Sequence, residues 1–136
     1  MIITIHLDSD IPIYQQIQNQ IVAGIAHGEL NPGELLPSVR TLADQLGINL
    51  HTVNKAYSLL QDDGYVVIHR RAGVRIADPE GKGDAARTAR ARREIKQALI
   101  CAAQEAVIWQ IDRSEFVDTA AQAFDTIGST ERGGQQ

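Results

Sequence analysis

The segment from Leu36 to Tyr57 (LPSVRTLADQLGINLHTVNKAY) constrains the fold of this chain more than any other. Ser38 follows Pro37 and precedes apolar residues at Val39, Leu42, Ala43 and Leu46. That spacing predicts a short amphipathic helix, with the Ser38 hydroxyl accepting from backbone N–H groups left unpaired at its start. Gly47 stands just past the last apolar position, where a left-handed residue ends a helix at little steric cost. Asn49 is placed to cap a second helix running to about Asp63, with Gly64 as its stop. A short glycine turn of this kind sets two helices at a steep angle.

On the second helix Val53, Ala56 and Leu60 share one face, with Tyr57 beside them. His51, Asn54, Lys55 and Ser58 project from roughly the opposite side. None of these four demands burial, and all can donate hydrogen bonds to phosphates or base edges. A polar helix face is by itself most often a solvated surface. The capped helix and tight turn before it favour a helix free to enter a DNA groove.

The flanks complete a small domain. Residues 1–10 alternate apolar and polar (Ile3, Ile5, Leu7), as in a short strand or extended arm. A first helix is predicted from near Asp10, with Pro12 in its first turn and Tyr14, Ile17, Ile21 and Ile25 as its core stripe. Gly28 and Asn31-Pro32-Gly33 end it. Beyond Gly64, Tyr65–His69 has strand character, Arg70-Arg71-Ala72-Gly73 makes a turn, and Val74–Ala77 returns. A hairpin tip carrying Arg70 and Arg71 can reach phosphates or a narrow minor groove, whose negative potential attracts guanidinium groups.

Residues 11–77 also contain Pro12-Ile13-Tyr14 with Gln16-Ile17, Gly28-Glu29-Leu30 with Pro32-Gly33, and Leu36-Pro37-Ser38 with Arg40. Leu42-Ala43, Leu46-Gly47, Thr52-Val53, Lys55-Ala56-Tyr57, Leu60, Gly64-Tyr65-Val66 and Gly73 follow. In order and spacing this set resembles the GntR family of bacterial winged-helix regulators, and the Asn49 to Tyr57 spelling is most similar to its YtrA-like branch. The resemblance implies DNA contacts by Ser38, Arg40, Asn49, His51, Thr52, Asn54, Lys55, Arg70, Arg71 and Gly73. Within that set we expect Arg40, Asn54 and His51 at base edges and Ser38, Thr52 and Lys55 nearer phosphates. The family pattern has glycine where Arg71 stands and an aromatic where Arg75 stands. Leu50 occupies a position often held by proline in this branch, and Gln110 one where a helix-ending glycine is common.

A net charge of −4 would ordinarily argue against a nucleic-acid binder. Its distribution answers the objection: residues 1–35 hold four acids and no Lys or Arg, while residues 36–75 hold five Lys/Arg against three acids. Cys101 stands alone, which excludes an intramolecular disulfide framework and suits a reducing compartment. It reads as a small packing residue on an alanine-rich helix. His6, His27, His51 and His69 lack paired ligand spacing, so no metal site is expected. No signal-peptide pattern and no apolar run approaching ~20 residues is present, so no membrane association is expected.

The last third reads as a linker at 78–83, a two-helix region at 84–128 and a disordered tail at 129–136. A helix is predicted from Asp84 or nearby to about Gln110. Its first half is basic (Arg87, Arg90, Arg92, Arg93, Lys96), which we read as a solvated face in preference to a second DNA contact. Its second half carries Ile95, Leu99, Ala102, Ala106 and Trp109 at helical spacing. Asp112 and Glu115 fit a capping box opening a last helix, with Phe116, Ala120, Ala123 and Ile127 on one face and Gly128 at its end. Two such helices gain little by covering each other alone, whereas a second copy would bury both stripes. Dimerisation is therefore assigned to Ile95, Leu99, Ala102, Ala106, Trp109, Phe116, Ala120 and Ala123, and the resemblance implies a helical dimerisation region too.

The chain is thus expected to be mainly α with a small β-wing: an N-terminal winged helix-turn-helix plus a short C-terminal helical dimerisation region. The function expected is a cytoplasmic bacterial transcription regulator, a homodimeric repressor on double-stranded operator DNA. The YtrA-like resemblance implies a transporter-type operon and the regulator's own gene as targets. The alternative is an effector-responsive sensor with a small-molecule pocket at the C-terminal dimer interface, near Trp109 and Cys101. Some relatives carry a pyridoxal-phosphate domain, for which this sequence has no counterpart. No cluster of nucleophile, base and orienter is apparent, so neither an enzyme nor a cofactor is expected. A nonspecific architectural protein is a third reading, separable by equal affinity for operator and scrambled DNA.

Overall fold

The computed structural model describes residues 2–78 and 85–133. In chain order these form α1 (Ile13–Ala26), β1 (Leu35–Leu36), α2 (Val39–Leu46), α3 (Leu50–Asp62), β2 (Val66–His69), β3 (Gly73–Ile76), α4 (Ala85–Ile108) and α5 (Arg113–Gly133). The chain divides into two compact units, Met1–Gly81 and Lys82–Gln136.

The first unit is built around α3. Val53, Ala56, Tyr57 and Leu60, one stripe of that helix, are fully buried. They join Ile17 and Ile21 of α1, Leu42 and Ala43 of α2, and Val66, Val74 and Ile76 of the sheet in one cluster. Each large aliphatic side chain buried this way favours the fold by about 1.5–3 kcal/mol. The Tyr57 hydroxyl is satisfied inside this cluster, donating to the Pro37 carbonyl at 2.7 Å. Burial pushes its phenol well above the ordinary range, so it remains a protonated donor.

The expected two-stranded wing is part of a three-stranded antiparallel sheet of order β1-β3-β2. β1 pairs Leu35 with Arg75 and Leu36 with Val74, a strand too short to leave an alternation in the sequence. On the other side β2 pairs Val66 with Ile76 through to His69 with Gly73. Tyr65 falls outside β2, because its N–H is spent on the Leu60 carbonyl in closing α3. Gly73 has φ 84°, and a Cβ there would lie 3.1 Å from the Leu35 side chain. Backbone conformation and close approach both call for glycine at that point.

The N-terminal segment is an extended arm without a strand. Gln16 and Gln20, one turn apart on α1, hold it in place of a neighbouring strand. Gln16 Oε1 accepts from the His6 N–H at 2.8 Å, and its Nε2 donates to the His6 and Ile11 carbonyls at 2.9 and 2.8 Å. Gln20 treats Thr4 the same way, accepting at 2.9 Å and donating at 2.6 Å. The alternating Ile3 and Ile5 thereby turn onto the core. α1 begins three residues later than expected from Asp10. Pro12 is its N-cap at φ −55° and ψ 148°, with the Gln16 N–H on the Pro12 carbonyl.

In the second unit α4 ends at Ile108, and Gln110 takes φ 58°, the one positive-φ non-glycine among the described residues. Ile111 and Gln110 donate to the Ala106 and Val107 carbonyls at 2.8 and 3.2 Å, the paired bonds of a left-handed helix end. Gln110 does here what glycine does after α2. The expected stop at Gly128 is not observed: α5 continues through Gly133. Gly128 is not left-handed, and a single helical glycine costs only about 1 kcal/mol relative to alanine. Helix therefore replaces the expected tail at 129–133, while 134–136 and linker residues 79–83 lie outside the described residues.

Gln16→Ala should destabilise the first unit by about 1–3 kcal/mol, because its buried amide no longer bonds the arm and the arm is released. Urea unfolding measures this change, and hydrogen exchange at the His6 amide should accelerate. Unchanged His6 protection would contradict the latch.

Candidate nucleic-acid interface

The interface is assembled by two caps and a turn. Ser38 Oγ accepts from the Thr41 N–H at 3.1 Å and donates to Thr41 Oγ1 at 2.9 Å, so α2 starts at Val39. Gly47 ends it at φ 66°, with its own N–H on Asp44 and the Ile48 N–H on Ala43. Asn49 Oδ1 accepts from the His51 N–H at 2.7 Å and opens α3. Ser38 and Asn49, both assigned from the sequence to DNA contact, thus already act as helix caps. Each retains capacity beyond its cap bond, since the Asn49 NH2 group is free of it and the Ser38 oxygen has a second lone pair.

From this frame α3 turns outward the residues expected from its periodicity. His51, Asn54 and Lys55 are exposed, and Thr52 and Ser58 are half-buried at the edges. Arg40, on the first turn of α2, is exposed as well. Lys55 does not hang free: its Nζ lies 4.0 Å from the centroid of the Tyr14 ring on α1. That cation–π contact holds the ammonium at the edge of the exposed face of α3.

The wing is held beside α3 by a residue that sequence reasoning missed. Gln61 Oε1 accepts from the Ile68 N–H of β2 at 2.8 Å, tying the hairpin to the last turn of α3. Arg75 stands out in the sequence only as a departure from the family pattern, without a role. It lies on the exposed side of β3, and its Nη1 donates to the Gly33 carbonyl at 3.0 Å. It anchors the sheet to the turn before β1. Neither role leaves a periodic trace, because a glutamine at a helix end and an arginine in a strand both read as ordinary solvated residues. Arg70 and Arg71 are exposed at the tip. Arg71 keeps a negative φ, and the left-handed conformation falls on Gly73. The missing glycine at 71 is therefore accommodated without strain there.

The residues assigned to dimerisation lie in the second unit. Ala106 is buried and Phe116 half-buried, whereas Ile95, Leu99, Ala102, Trp109, Ala120 and Ala123 are exposed. Among the described residues α4 and α5 pack only sparsely on each other. Ile100, Ala103, Gln104, Val107 and Ile108, at helical spacing along α4, line an open apolar groove of about 570 Å3. Trp109 is 77% exposed, and Cys101 is exposed too, so neither is enclosed in a cavity. No His/Cys/Asp/Glu group suited to a metal ion occurs among the described residues.

Comparison with known proteins places this geometry. Residues 13–76 match the model of the bacterial regulatory proteins, gntR family. Over 83 residues, 60% of this chain, the sequence is 40% identical to the HTH-type transcriptional regulator Rv1152 of Mycobacterium tuberculosis. The match covers 66% of that protein, and only 14% and 31% of two further curated relatives, so the chain spans less than two thirds of their length. A transcriptional antiterminator from Listeria monocytogenes EGD-e is similar in structure, with a TM-score of 0.76 and 27% identity over 93% of this chain and 92% of that one. YtrA from Sulfolobus acidocaldarius, a GntR-family transcription factor, is similar at a TM-score of 0.67 and 36% identity. That match covers 93% of this chain and 99% of the archaeal protein.

Gly47→Ala should destabilise the first unit by about 1–2 kcal/mol, the cost of a left-handed conformation in a residue with a Cβ. Gly47→Asn should cost less, since asparagine tolerates that region. Equal urea midpoints for wild type and alanine variant would contradict the role of this turn.

Proposed function

This chain belongs to the GntR family of bacterial regulatory proteins, in its YtrA-like branch, and on that premise we propose that it is a sequence-specific transcription regulator. It acts as a homodimeric repressor on a two-fold-symmetric operator. The observation that carries this reading is the outward face of α3, with His51, Asn54 and Lys55 exposed beside a hairpin that presents Arg70 and Arg71. A helix of that size fits the major groove of B-DNA, and a basic hairpin tip fits the negative potential of the adjacent minor groove. Arg40, Asn54 and His51 read base edges; Ser38, Thr52 and Lys55 contact phosphates. The remaining wing and cap residues, Asn49, Arg70, Arg71 and Gly73, complete the interface.

Two readers separated by about 34 Å, one helical turn, or a multiple of it, would address the two half-sites. The exposed apolar residues of α4 and α5 supply a surface for pairing, because self-association removes that surface from water. A metabolite sensor is the alternative. The α4 groove is open and apolar, and Gln104 is the one polar residue among those lining it. Ligand pockets usually add several convergent polar groups, so a partner helix suits this groove better. The targets of this reading are a transporter-type operon and the regulator's own gene, and its compartment is the cytoplasm. No helix among the described residues is long and apolar enough to cross a membrane.

Footprinting of the DNA upstream of its own gene, with a salt titration, should reveal a protected palindrome. Protection of no fragment would overturn the reading. Within a bound operator, Asn54→Ala should cost about 1–3 kcal/mol and relax preference at one base position. Lys55→Ala should weaken binding to all sequences alike and lower the salt slope by about 1; a changed sequence preference instead would refute its phosphate role.

A further inference from the structure

Taken whole, the first unit is acidic, although its residues 36–75 are net basic. Through Asp78 the chain carries eight Asp/Glu against five Lys/Arg. One of those five, Arg75, is engaged with the Gly33 carbonyl. That leaves Arg40, Lys55, Arg70 and Arg71, while neutralisation of phosphates by cations supplies most of the sequence-independent affinity for DNA.

The cations missing there are concentrated elsewhere. Residues 85–104 hold five Lys/Arg and a single acid, Glu94, and all five cations lie within Arg87–Lys96. This stretch is the N-terminal half of α4, where no acidic residue occupies the first turn. Positive charge near a helix N-terminus opposes the macrodipole. Arg90/Arg93 and Arg93/Lys96 lie three apart and Arg92/Lys96 four apart, so they also repel one another along the helix. Glu94 relieves part of this by pairing with Arg90 at 2.9 Å. The arrangement works against helix stability and leaves Arg92, Arg93 and Lys96 exposed. Four of the five are arginines, whose planar forks match phosphate oxygens in pairs.

We infer that the basic half of α4 is a second DNA-contacting surface, which grips the phosphate backbone without reading sequence while the first unit reads the operator. The inference rests on the regulatory reading above and takes the second DNA contact over the solvated face as the role of this stretch. Both surfaces bind one polyanion, so no contact between the two units is required. Because both belong to one chain, binding by the reader raises the effective concentration of DNA at α4.

The test uses the full chain, the footprinted duplex and a mixed-sequence duplex. It compares wild type with R92Q/R93Q/K96Q, whose glutamines keep helix propensity. The slope of log affinity against log salt should become shallower by about 0.9 for each phosphate that the variant no longer neutralises, up to about three phosphates, on both duplexes. At low salt affinity should fall about tenfold or more. R92K/R93K, which keeps the charge, should retain most of the wild-type slope. An unchanged slope in the triple glutamine variant, with wild type still binding, would overturn this inference alone. Loss of self-association by sedimentation, with the slope per bound dimer intact, would also overturn it and assign the basic face to a second copy. Failure of wild type to bind any duplex would overturn the regulatory reading, and this inference with it.

Discussion

The geometry of the first unit depends on one side of α3. Val53, Ala56, Tyr57 and Leu60 must be buried together, and their burial alone turns His51, Asn54 and Lys55 outward. At the centre of that stripe the Tyr57 hydroxyl bonds the Pro37 carbonyl, immediately before the Ser38 cap of α2. A single buried donor therefore ties the start of α2 to the middle of α3, while Gly47 ties the end of α2 to the start of α3. With both ends fixed, the angle between the two helices has little freedom. Leaving the part-buried Pro37 carbonyl without its donor would carry a desolvation cost of at most about 1–3 kcal/mol.

Around this rigid centre the peripheral parts are attached by neutral polar side chains. Gln16 and Gln20 fasten the N-terminal arm, and Gln61 fastens the wing. An amide can donate and accept at once, so each glutamine satisfies exposed backbone as a neighbouring strand would. Net hydrogen-bond contributions are modest, about 0.5–1.5 kcal/mol each. The arm and wing are thereby positioned yet can open locally at far less cost than α3 can be displaced.

The parts that were readable from the sequence are those with periodicity or punctuation. The α2 and α3 caps, the Gly47 turn and the buried stripe of α3 all follow from residue type at fixed spacing. β1 was not readable, because two residues cannot show an alternation. The latches by Gln16, Gln20, Gln61 and Arg75 escaped for a different reason: their partners are backbone atoms outside their own helix or strand, at separations from 5 positions for Gln16 and Ile11 to 42 for Arg75 and Gly33, and so follow no period. The left-handed Gln110 could be placed by the break in apolar spacing and by resemblance, but its residue type did not announce it. Gly128 misled in the opposite direction, since a glycine ends a helix only when the backbone turns left-handed there. At the interface, the exposed positions on α3 and the wing tip came from the pattern. The cation–π contact between Lys55 and Tyr14 needed the packing of α1 against α3.

Charge is distributed unevenly between the two units. The first unit carries the exposed polar face of α3 on an acidic background, and the second carries exposed apolar surface and the densest run of arginine. The proposed function requires above all that the outward face of α3 be the surface that meets DNA. Backbone amide shifts followed by NMR during titration with an operator duplex test that claim. The largest changes are predicted at Arg40, from Asn49 to Lys55, and from Arg70 to Gly73, with Thr4 and His6 unmoved. Silent amides at the start of α3, with changes centred on the arm or β1, would contradict it.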